Sequence, residues 1–329
     1  MTTAMAGGCL LAADVGGTKT ATAVVTCGGE VLHTAKEPTA RDGPQALCDQ
    51  VVAMLQEGLR VAGVRRADLL GLGVGVPAVV DASHQVVVWA PNLPGWSDVP
   101  LADLLQRRLG LPVHIEYDGH AAVLGEWWLG AGRGHQSVVM VIVGTGIGGG
   151  MILDGRLYHG ADQLAGAAGW QVLATRRVEE DEARRVGHWE SLAAGPAIAR
   201  LAARKLQEST QPSLLRACPA NALSASRVFD AARQGDAVAN TIVGEVAEAL
   251  GVGIANLVSV LNPEVVILGG SVGIQGDLLL APVREVVRQS AQPVSARRVR
   301  IVTAELGERA GLLGAARAVL LARGGPAQS

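Results

Sequence analysis

The first segment whose residues could do chemistry is Asp14-Val-Gly-Gly-Thr-Lys, near the start of the sequence. Glycines let backbone N–H groups approach phosphate oxygens closely, and Thr18 adds a hydroxyl donor. The carboxylate of Asp14 can hold Mg²⁺ through water. The segment lacks the GxxxxGK[ST] spacing of a Walker A loop, and by itself it predicts only a tight hairpin.

A second glycine-rich segment, Gly144–Gly150, lies near the middle of the chain. It formally matches GxGxxG, the spacing of a dinucleotide-binding turn. Such a turn must open a helix, whereas the following residues, MILDGRLY, have the pattern of a strand, so a dinucleotide is disfavoured. Taken together and in this order, the two segments predict a pair of turns, one from each half of the protein, that grip one nucleotide.

The residues around these segments have the periodicity of an α/β protein. LLAADVGG and TKTATAVVT predict a β-hairpin, and a second turn at Gly28 and Gly29 precedes a third strand near Val31. Alternating helices and strands follow. We expect helices over residues 43–63, 241–261 and 309–323, strands over 69–81, 112–119, 137–143, 151–160 and 264–270, and a solvated charged segment over 176–185. The last helix should pack on the first half of the chain, and residues 324–329 should fray.

Length and composition narrow the class of protein. A chain of 329 residues is too long for one core, because single cores stop growing at roughly 250 residues, and this predicts two lobes with a cleft between them. The charged fraction of 18% is low for a soluble domain, which makes a homo-oligomer plausible. The net charge of -2 and the absence of a basic stretch disfavour nucleic acid as a partner and favour a small molecule.

No apolar run has the length of an uncharged membrane helix, and the start of the sequence lacks the features of a signal peptide, so we expect a cytoplasmic protein.

The four cysteines, Cys9, Cys27, Cys48 and Cys218, lie far apart with no CxxC pair. This spacing fits neither a disulfide framework nor a zinc site, and it predicts reduced thiols.

Between residues 10 and 321 the chain carries LAADVGGTKTATAVV, PNLPGW, DGHAAVLGEWWLGAGRG, VIVGTGIGGGMILDGRLYHG, GVGIANLVSVLNPEVVILGGSV and AGLLGAA, in that order. With these motifs the sequence resembles the ROK family of sugar kinases, the bacterial glucokinase group within the hexokinase and actin-like superfamily. The resemblance implies a two-lobed, actin-like α/β fold with a nucleotide cleft. We expect residues 1–117 with about 308–329 to form the small lobe, and residues 118–307 to form the large one.

The resemblance also implies roles for individual residues. Asp118 would be the general base, accepting the proton of a primary hydroxyl as that oxygen attacks the γ-phosphorus of ATP. Mg²⁺ with ATP would be the cofactor, and a homodimer the assembly. The implied nucleotide and metal residues are Asp14, Gly16, Gly17, Thr18, Lys19, Thr145 and Gly146, with Gly269 and Gly270 at the adenosine, and the implied acceptor residues are Asn92, Tyr117, Asp118, Trp170 and Glu190.

The chain departs from the family pattern at its acceptor and zinc motifs. Tyr117 stands where the family usually has Asn, Ala167 where it has Glu, and Trp170 where it has His. The cysteine-rich zinc segment is missing, with His188 at the position of one ligand, so structural zinc is not expected. Trp170 and Trp189 could offer apolar ring faces to the acceptor, or could simply be core residues.

A preserved phosphate site beside an altered acceptor site predicts a changed acceptor, and losing groups that bind hydroxyls should weaken glucose recognition severely. Our specific hypothesis is a C7-cyclitol, a pseudosugar of secondary metabolism that keeps an exocyclic hydroxymethyl group. The alternatives are a glucokinase or another hexose or N-acylhexosamine kinase, and a sugar-sensing ROK regulator without turnover. Such regulators carry an N-terminal helix-turn-helix, whereas Asp14 lies near the start of this sequence, which disfavours regulation.

Overall fold

The computed structural model describes residues 8–81, 85–90, 93, 95–173 and 180–325. The chain forms two compact units. The first contains the described residues of Met1–Gln136, Gly150–Ala165 and Glu305–Ser329, and the second contains those of Ser137–Gly149 and Gly166–Ala304. The lobe boundaries expected from the sequence stay a prediction.

The described residues contain thirteen strands and twelve α-helices. The strands are β1 Cys9–Val15, β2 Lys19–Thr26, β3 Val31–Pro38, β4 Leu69–Val76, β5 Val79–Asp81, β6 Val86–Trp89, β7 Ser97–Val99, β8 Val113–Tyr117, β9 Val138–Val143, β10 Ile147–Leu153, β11 Arg156–Leu157, β12 Val265–Gly269 and β13 Arg300–Thr303. The helices are α1 Pro44–Ala62, α2 Leu101–Leu109, α3 Asp118–Leu129, α4 Glu180–Val186, α5 His188–Ala193, α6 Gly195–Glu208, α7 Ala225–Arg233, α8 Ala237–Leu261, α9 Gly270–Gly273, α10 Gly276–Ser290, α11 Pro293–Arg298 and α12 Ala310–Ala322.

The sheet of the first unit has the order β3-β2-β1-β4-β8. β1, β2 and β3 are antiparallel, which confirms the two hairpins predicted from their Gly-Gly turns. β4 runs parallel to both β1 and β8, so the carboxyl ends of these three strands lie at one edge. The strand predicted over residues 69–81 is in fact two strands, because Pro77 has no N–H to donate to a ladder and the chain bends there. β5, β6 and β7 form a small separate sheet.

Helices cover both faces of this sheet. On one face α1 and α2 contribute Leu47, Leu55 and Leu105 to an apolar cluster that includes strand residues such as Leu11 and Leu72. On the other face α12 brings Leu312 and Leu313 against Leu10 and Ala12. The prediction that the last helix packs on the first half of the chain is therefore confirmed. The prediction that residues 324–329 fray falls mostly on residues 326–329, which lie outside the described residues.

Small residues let α12 approach α3 and β4 closely. A Cβ on Gly314 would overlap the carbonyl oxygen of Ala121 in α3, and a Cβ on Gly125 would overlap that of Ala310. A Cβ on Gly73 in β4 would overlap the carbonyl of Ala315. These glycines are required by backbone contact between elements, and their local conformation is ordinary. They bring the helix backbones close enough for dense packing.

In the second unit, β12 lies between the parallel strands β9 and β13. The sheet that contains these strands has the order β11-β10-β9-β12-β13. The helix predicted over residues 241–261 is the C-terminal part of α8. By length and composition α8 could cross a membrane, which the sequence reading did not anticipate, but 56% of its most apolar window is buried inside the protein. The interior of a folded domain accounts for such a helix.

Candidate active site

Asp14 and Asp118 lie at the same edge of the first unit's sheet. Asp14 is the next-to-last residue of β1 and pairs with Gly75 of β4. Asp118 directly follows β8 and is the first residue of α3. Because β1 and β8 both run parallel to β4, which lies between them, their carboxyl ends bring the two side chains to the same edge of the sheet. Gly75 lies between them without a side chain, and a Cβ there would be 3.5 Å from Oδ1 of Asp14.

Both carboxyl groups are partly exposed, yet protein atoms surround them. Burial raises the pKa of Asp14 to about 6, against the opposing charge of Lys36. Burial also raises the pKa of Asp118 to about 7; the charge of Asp14 adds to this effect, and the N–H of Gly119 opposes it by donating to Oδ1 at 2.7 Å. Two carboxyl groups with raised pKa values at one sheet edge are typical of a functional site.

The turn after Asp14 is tight and is held from the side. Gly16 N–H donates to the carbonyl of Lys19 at 2.9 Å, and the hydroxyl of Thr39 donates to the carbonyl of Gly16 at 2.7 Å. Thr39 N–H donates to the carbonyl of Thr18 at 3.0 Å, while the side chains of Thr18 and Lys19 are exposed. The turn is thus anchored through its carbonyl groups, and its hydroxyl and ammonium are available to a ligand.

The second glycine-rich turn lies in the other unit. It joins β9 to β10, with Gly144 N–H donating to the carbonyl of Gly146 at 2.9 Å, and β10 begins at Ile147. The turn therefore opens a strand, which excludes the dinucleotide-type strand-to-helix turn that the GxGxxG match suggested. Thr145, in the middle of this turn, has an exposed side chain.

Glu190 lies against this turn. Its Oε2 accepts a hydrogen bond of 2.7 Å from Ile147 N–H, and a Cβ on Gly146 would come within 2.6 Å of the same oxygen. Burial raises the pKa of Glu190, and the Ile147 hydrogen bond opposes that rise. Glu190 was predicted to contact the acceptor; in the structure it binds the backbone of the turn, and an acceptor contact stays a prediction.

Gly269 and Gly270 join β12 to α9 in the second unit. Gly270 has a φ of 78°, and a Cβ there would overlap the carbonyl of Val143 at the end of β9, so this position requires glycine. The next residue, Ser271, lies close to the glycine-rich turn: its hydroxyl oxygen is 3.7 Å from the position that a Cβ on Gly144 would occupy. The glycine-rich turn and the start of α9 are thus adjacent, as two parts of one nucleotide site would be.

The predicted acceptor residues are distributed as follows. Tyr117 ends β8, and its ring stands edge-on to that of His120 at 5.2 Å. Trp170 is 58% exposed in a short 3-10 helix that begins after Ala167, so its indole is not a core residue. Trp189 is fully buried against Gly253 and belongs to the core, which excludes it as an exposed ring face for the acceptor. Asn92 lies outside the described residues.

The residues at Asp14 fit a hydrated Mg²⁺. A Cβ on Gly311 would come within 2.7 Å of Oδ2, so a side chain at that position would crowd the carboxylate. Hard oxygen ligands with room for water are what this ion prefers. The family's cysteine-bound zinc does not fit. His188 accepts a hydrogen bond from Leu173 N–H through Nδ1, and no cysteine joins it in a cluster of metal ligands within the described part of the chain.

Sequence reasoning missed two features of this region. Thr39 carried no motif, although a threonine facing a glycine turn is a plausible anchor. The second feature is Glu116, which is buried beside His114, His120 and His159. Burial alone would raise its pKa, but the neighbouring side chains of the three histidines hold the pKa of Glu116 well below its usual range. The spacing of Glu116 and His120, four residues apart around Asp118, was the available signal.

Known proteins match nearly the whole chain. The family model described as ROK family matches residues 10–322. A glucokinase from Halalkalibacterium halodurans is 34% identical over 92% of both chains. A ROK family glucokinase from Streptomyces griseus, solved in complex with glucose and AMPPNP, is 33% identical with a TM-score of 0.77 over 97% of this chain and 100% of its own. A xylose repressor from Caldicellulosiruptor bescii is 30% identical over 79% of this chain and 65% of its own length.

Proposed function

Because this chain belongs to the ROK family and has its actin-like ATPase fold, we propose that Asp118 is the general base of this ATP-dependent sugar phosphotransferase. The observation that carries the proposal is the position of Asp118 at a sheet edge beside Asp14, partly exposed, with a pKa of about 7. Near neutral pH such a group is deprotonated often enough to accept a hydroxyl proton. A positioned base of this kind contributes about 10²- to 10⁴-fold to the rate.

The rest of the phosphoryl transfer depends on positioning and charge. Asp14 would hold Mg²⁺ through water, and the bound ion would neutralise charge on the phosphates. The family resemblance assigns Gly16, Gly17, Thr18, Lys19, Thr145 and Gly146 to contacts with the phosphates, and Gly269 and Gly270 to the adenosine. The exposed side chains of Thr18, Lys19 and Thr145 support this assignment.

Replacing Asp118 with Asn tests the base. Asp118→Asn should lower kcat by at least about 10²-fold, because the amide cannot accept the proton, while nucleotide still binds. Asp154→Asn is a matched control, since Asp154 is exposed in the turn between β10 and β11. Steady-state kinetics and nucleotide-binding calorimetry on both variants make the measurement. Near-normal turnover in Asp118→Asn would refute the assignment.

The proposed acceptor is a C7-cyclitol, phosphorylated on its exocyclic hydroxyl. Ala167 offers no polar side chain, and Trp170 is exposed enough to stack on a ring. Each lost hydrogen bond to a sugar hydroxyl costs roughly 0.5 to 1.5 kcal/mol. A pseudosugar without an anomeric hydroxyl would leave no such group unpaired against Ala167. The relatives that are named glucokinases favour glucose or another hexose as the second candidate.

A substrate panel separates these acceptors. Hexoses, N-acylhexosamines and hydroxymethyl cyclitols should be compared by ADP release, with a much higher kcat/KM expected for the cyclitol than for glucose. The double variant Ala167→Glu, Trp170→His should shift the preference toward glucose. Glucose phosphorylated efficiently by the wild type, with cyclitols ignored, would leave the hexose-kinase alternative standing.

A regulator that binds sugar without turnover is the alternative of another class, and the similarity to a xylose repressor is the observation behind it. Turnover of any acceptor in the same panel excludes a regulator without catalytic activity.

A cytoplasmic location and a homodimer stay predictions. Size-exclusion chromatography with light scattering tests whether the protein is a homodimer.

A further inference from the structure

Three side chains of the first unit that phosphoryl transfer does not use converge on one point. Glu116 is near the end of β8, His120 is in the first turn of α3, and His159 follows β11. Their ligand-type atoms all lie within 4.8 Å of one another. Oε2 of Glu116 is 3.5 Å from Nδ1 of His120, and Oε1 is 3.2 Å from Nε2 of His159. Glu116 and His120 are buried, whereas the His159 side chain is 34% exposed.

The hydrogen bond made by His120 fixes which of its nitrogens carries the proton. Nε2 lies 2.8 Å from the carbonyl oxygen of Ala165, and a carbonyl only accepts, so Nε2 must be the donor. In a neutral ring Nδ1 then has a bare lone pair. This atom is fully buried and has no hydrogen-bond partner, and it faces the carboxylate oxygen of Glu116. Two electron pairs facing each other in a buried place require a positive charge between them.

The chemistry of the three groups indicates which cation would fit. Two imidazole nitrogens and one carboxylate oxygen are a ligand set typical of Zn²⁺. In a tetrahedral zinc site with Zn–N distances of about 2.0–2.1 Å, neighbouring ligand atoms are about 3.3 Å apart. The distances of 3.5 Å from His120 and 3.2 Å from His159, each to a different oxygen of the Glu116 carboxylate, are close to that value. Hard ions such as Mg²⁺ prefer all-oxygen sites and fit this cluster poorly.

The surroundings supply the two other features of such a site. Zinc-bound histidines almost always donate their second N–H to a carbonyl or carboxylate, as His120 does to Ala165. His114, 3.0 Å from Oε1 of Glu116, orients the carboxylate in the same way. A cavity of about 290 Å³, lined by Tyr117, His159 and Gln163 among others, reaches the cluster and has room for a water as a fourth ligand.

We propose that Glu116, His120 and His159 bind one Zn²⁺, with a water molecule from the adjoining cavity completing a tetrahedron. This site is distinct from the cysteine-bound zinc of the family, whose ligands the chain lacks. Bound zinc would join the end of β8 and the start of α3, which flank Asp118, to the segment 159–165. Glu116 and His120 would thereby act as positioning residues for the general base.

Metal content and cobalt substitution test the proposal. Protein purified without a histidine tag is dialysed against Zn²⁺ and then against buffer, and metal is counted by mass spectrometry. About one zinc per chain is expected in the wild type. Glu116→Gln and His159→Gln should bind zinc at least about 100-fold more weakly, because even indirect partners of zinc ligands cost 10–100-fold. His33→Gln, a half-exposed histidine on β3, is the matched control and should keep the metal.

Cobalt substitution of the wild type gives a readout that does not need folded variants. Co²⁺ bound here should show the visible d–d bands of a tetrahedral site without the charge-transfer band of a thiolate ligand. A chelator should lower the Tm of the wild type, and added Zn²⁺ should restore it. A wild type that takes up no stoichiometric zinc, or zinc held equally by all three variants, would overturn the proposal, and the cluster would then be a hydrogen-bonded network around a protonated His120.

Discussion

At the residue scale, the charge of Asp14 makes Asp118 harder to ionise. They occupy one edge of a sheet, and no side chain of β4 separates them, because Gly75 has none. The pKa of Asp118, at about 7, rises first through burial and then through the charge of Asp14. A base whose pKa is near the working pH combines a useful deprotonated fraction with a strong tendency to accept a proton.

This pKa sets the expected pH dependence of catalysis. Asp118, as the proposed base, must be deprotonated to accept a proton, so kcat/KM for the acceptor should rise about tenfold per pH unit below pH 7 and level off above it. The measurement is a pH profile over about pH 5 to 9 in buffers of constant ionic strength. A profile without an acidic limb would argue against Asp118 as the proton acceptor.

At the scale of elements, contact between backbones determines which residues are tolerated where α12 crosses α3. Gly314→Ala should destabilise the protein by about 1–3 kcal/mol, because the new methyl group would overlap the Ala121 carbonyl and push the helices apart. Gly244→Ala is the matched control. Gly244 is exposed in α8 with open space around its Cβ position, so alanine should stabilise by about 0.5–1 kcal/mol. Denaturant unfolding measures the change in the free energy of unfolding for each variant. If both substitutions destabilise the protein, the explanation by backbone contact is wrong.

Most elements could be predicted from sequence because their signals are local. The hairpin around Gly16 and Gly17, helix α8 and strand β12 each follow from periodicity and turn residues. The break at Pro77 was missed because the apolar pattern continues through it. The cluster at Glu116 could not be predicted from spacing alone, since His159 reaches it only through the fold. Likewise, nothing in the sequence distinguished buried Trp189 from exposed Trp170.

At the scale of the whole molecule, the two raised carboxyl pKa values should cost stability. Both groups have folded-state pKa values above the ordinary 3.8, so between about pH 4 and pH 7 the folded state binds more protons than the unfolded state. The free energy of unfolding therefore falls as pH rises through this window, and the cost is fully present above it. This edge of the sheet is thus expected to destabilise the fold near neutral pH.

Asp118→Asn should remove part of this cost. The variant should melt at a higher temperature than the wild type above about pH 7, and the difference should shrink toward zero near pH 4, where the wild-type group is also neutral. Calorimetry of the wild type, Asp118→Asn and the control Asp154→Asn at several pH values makes the measurement. A difference in Tm that stays constant with pH would mean that the substitution acts through packing and not through charge.

The placement of α12 has a consequence for protein synthesis. The helix covers a face of the first unit's sheet, yet its residues leave the ribosome long after β1, β4 and α3 have emerged. Until α12 is synthesised, Leu10, Ala12 and Trp128 lack their contacts with this helix, and the nascent chain exposes an apolar surface. Such intermediates aggregate readily and are substrates for chaperones. The first unit can therefore reach its final structure only after the helix has been translated, however early its strands pair.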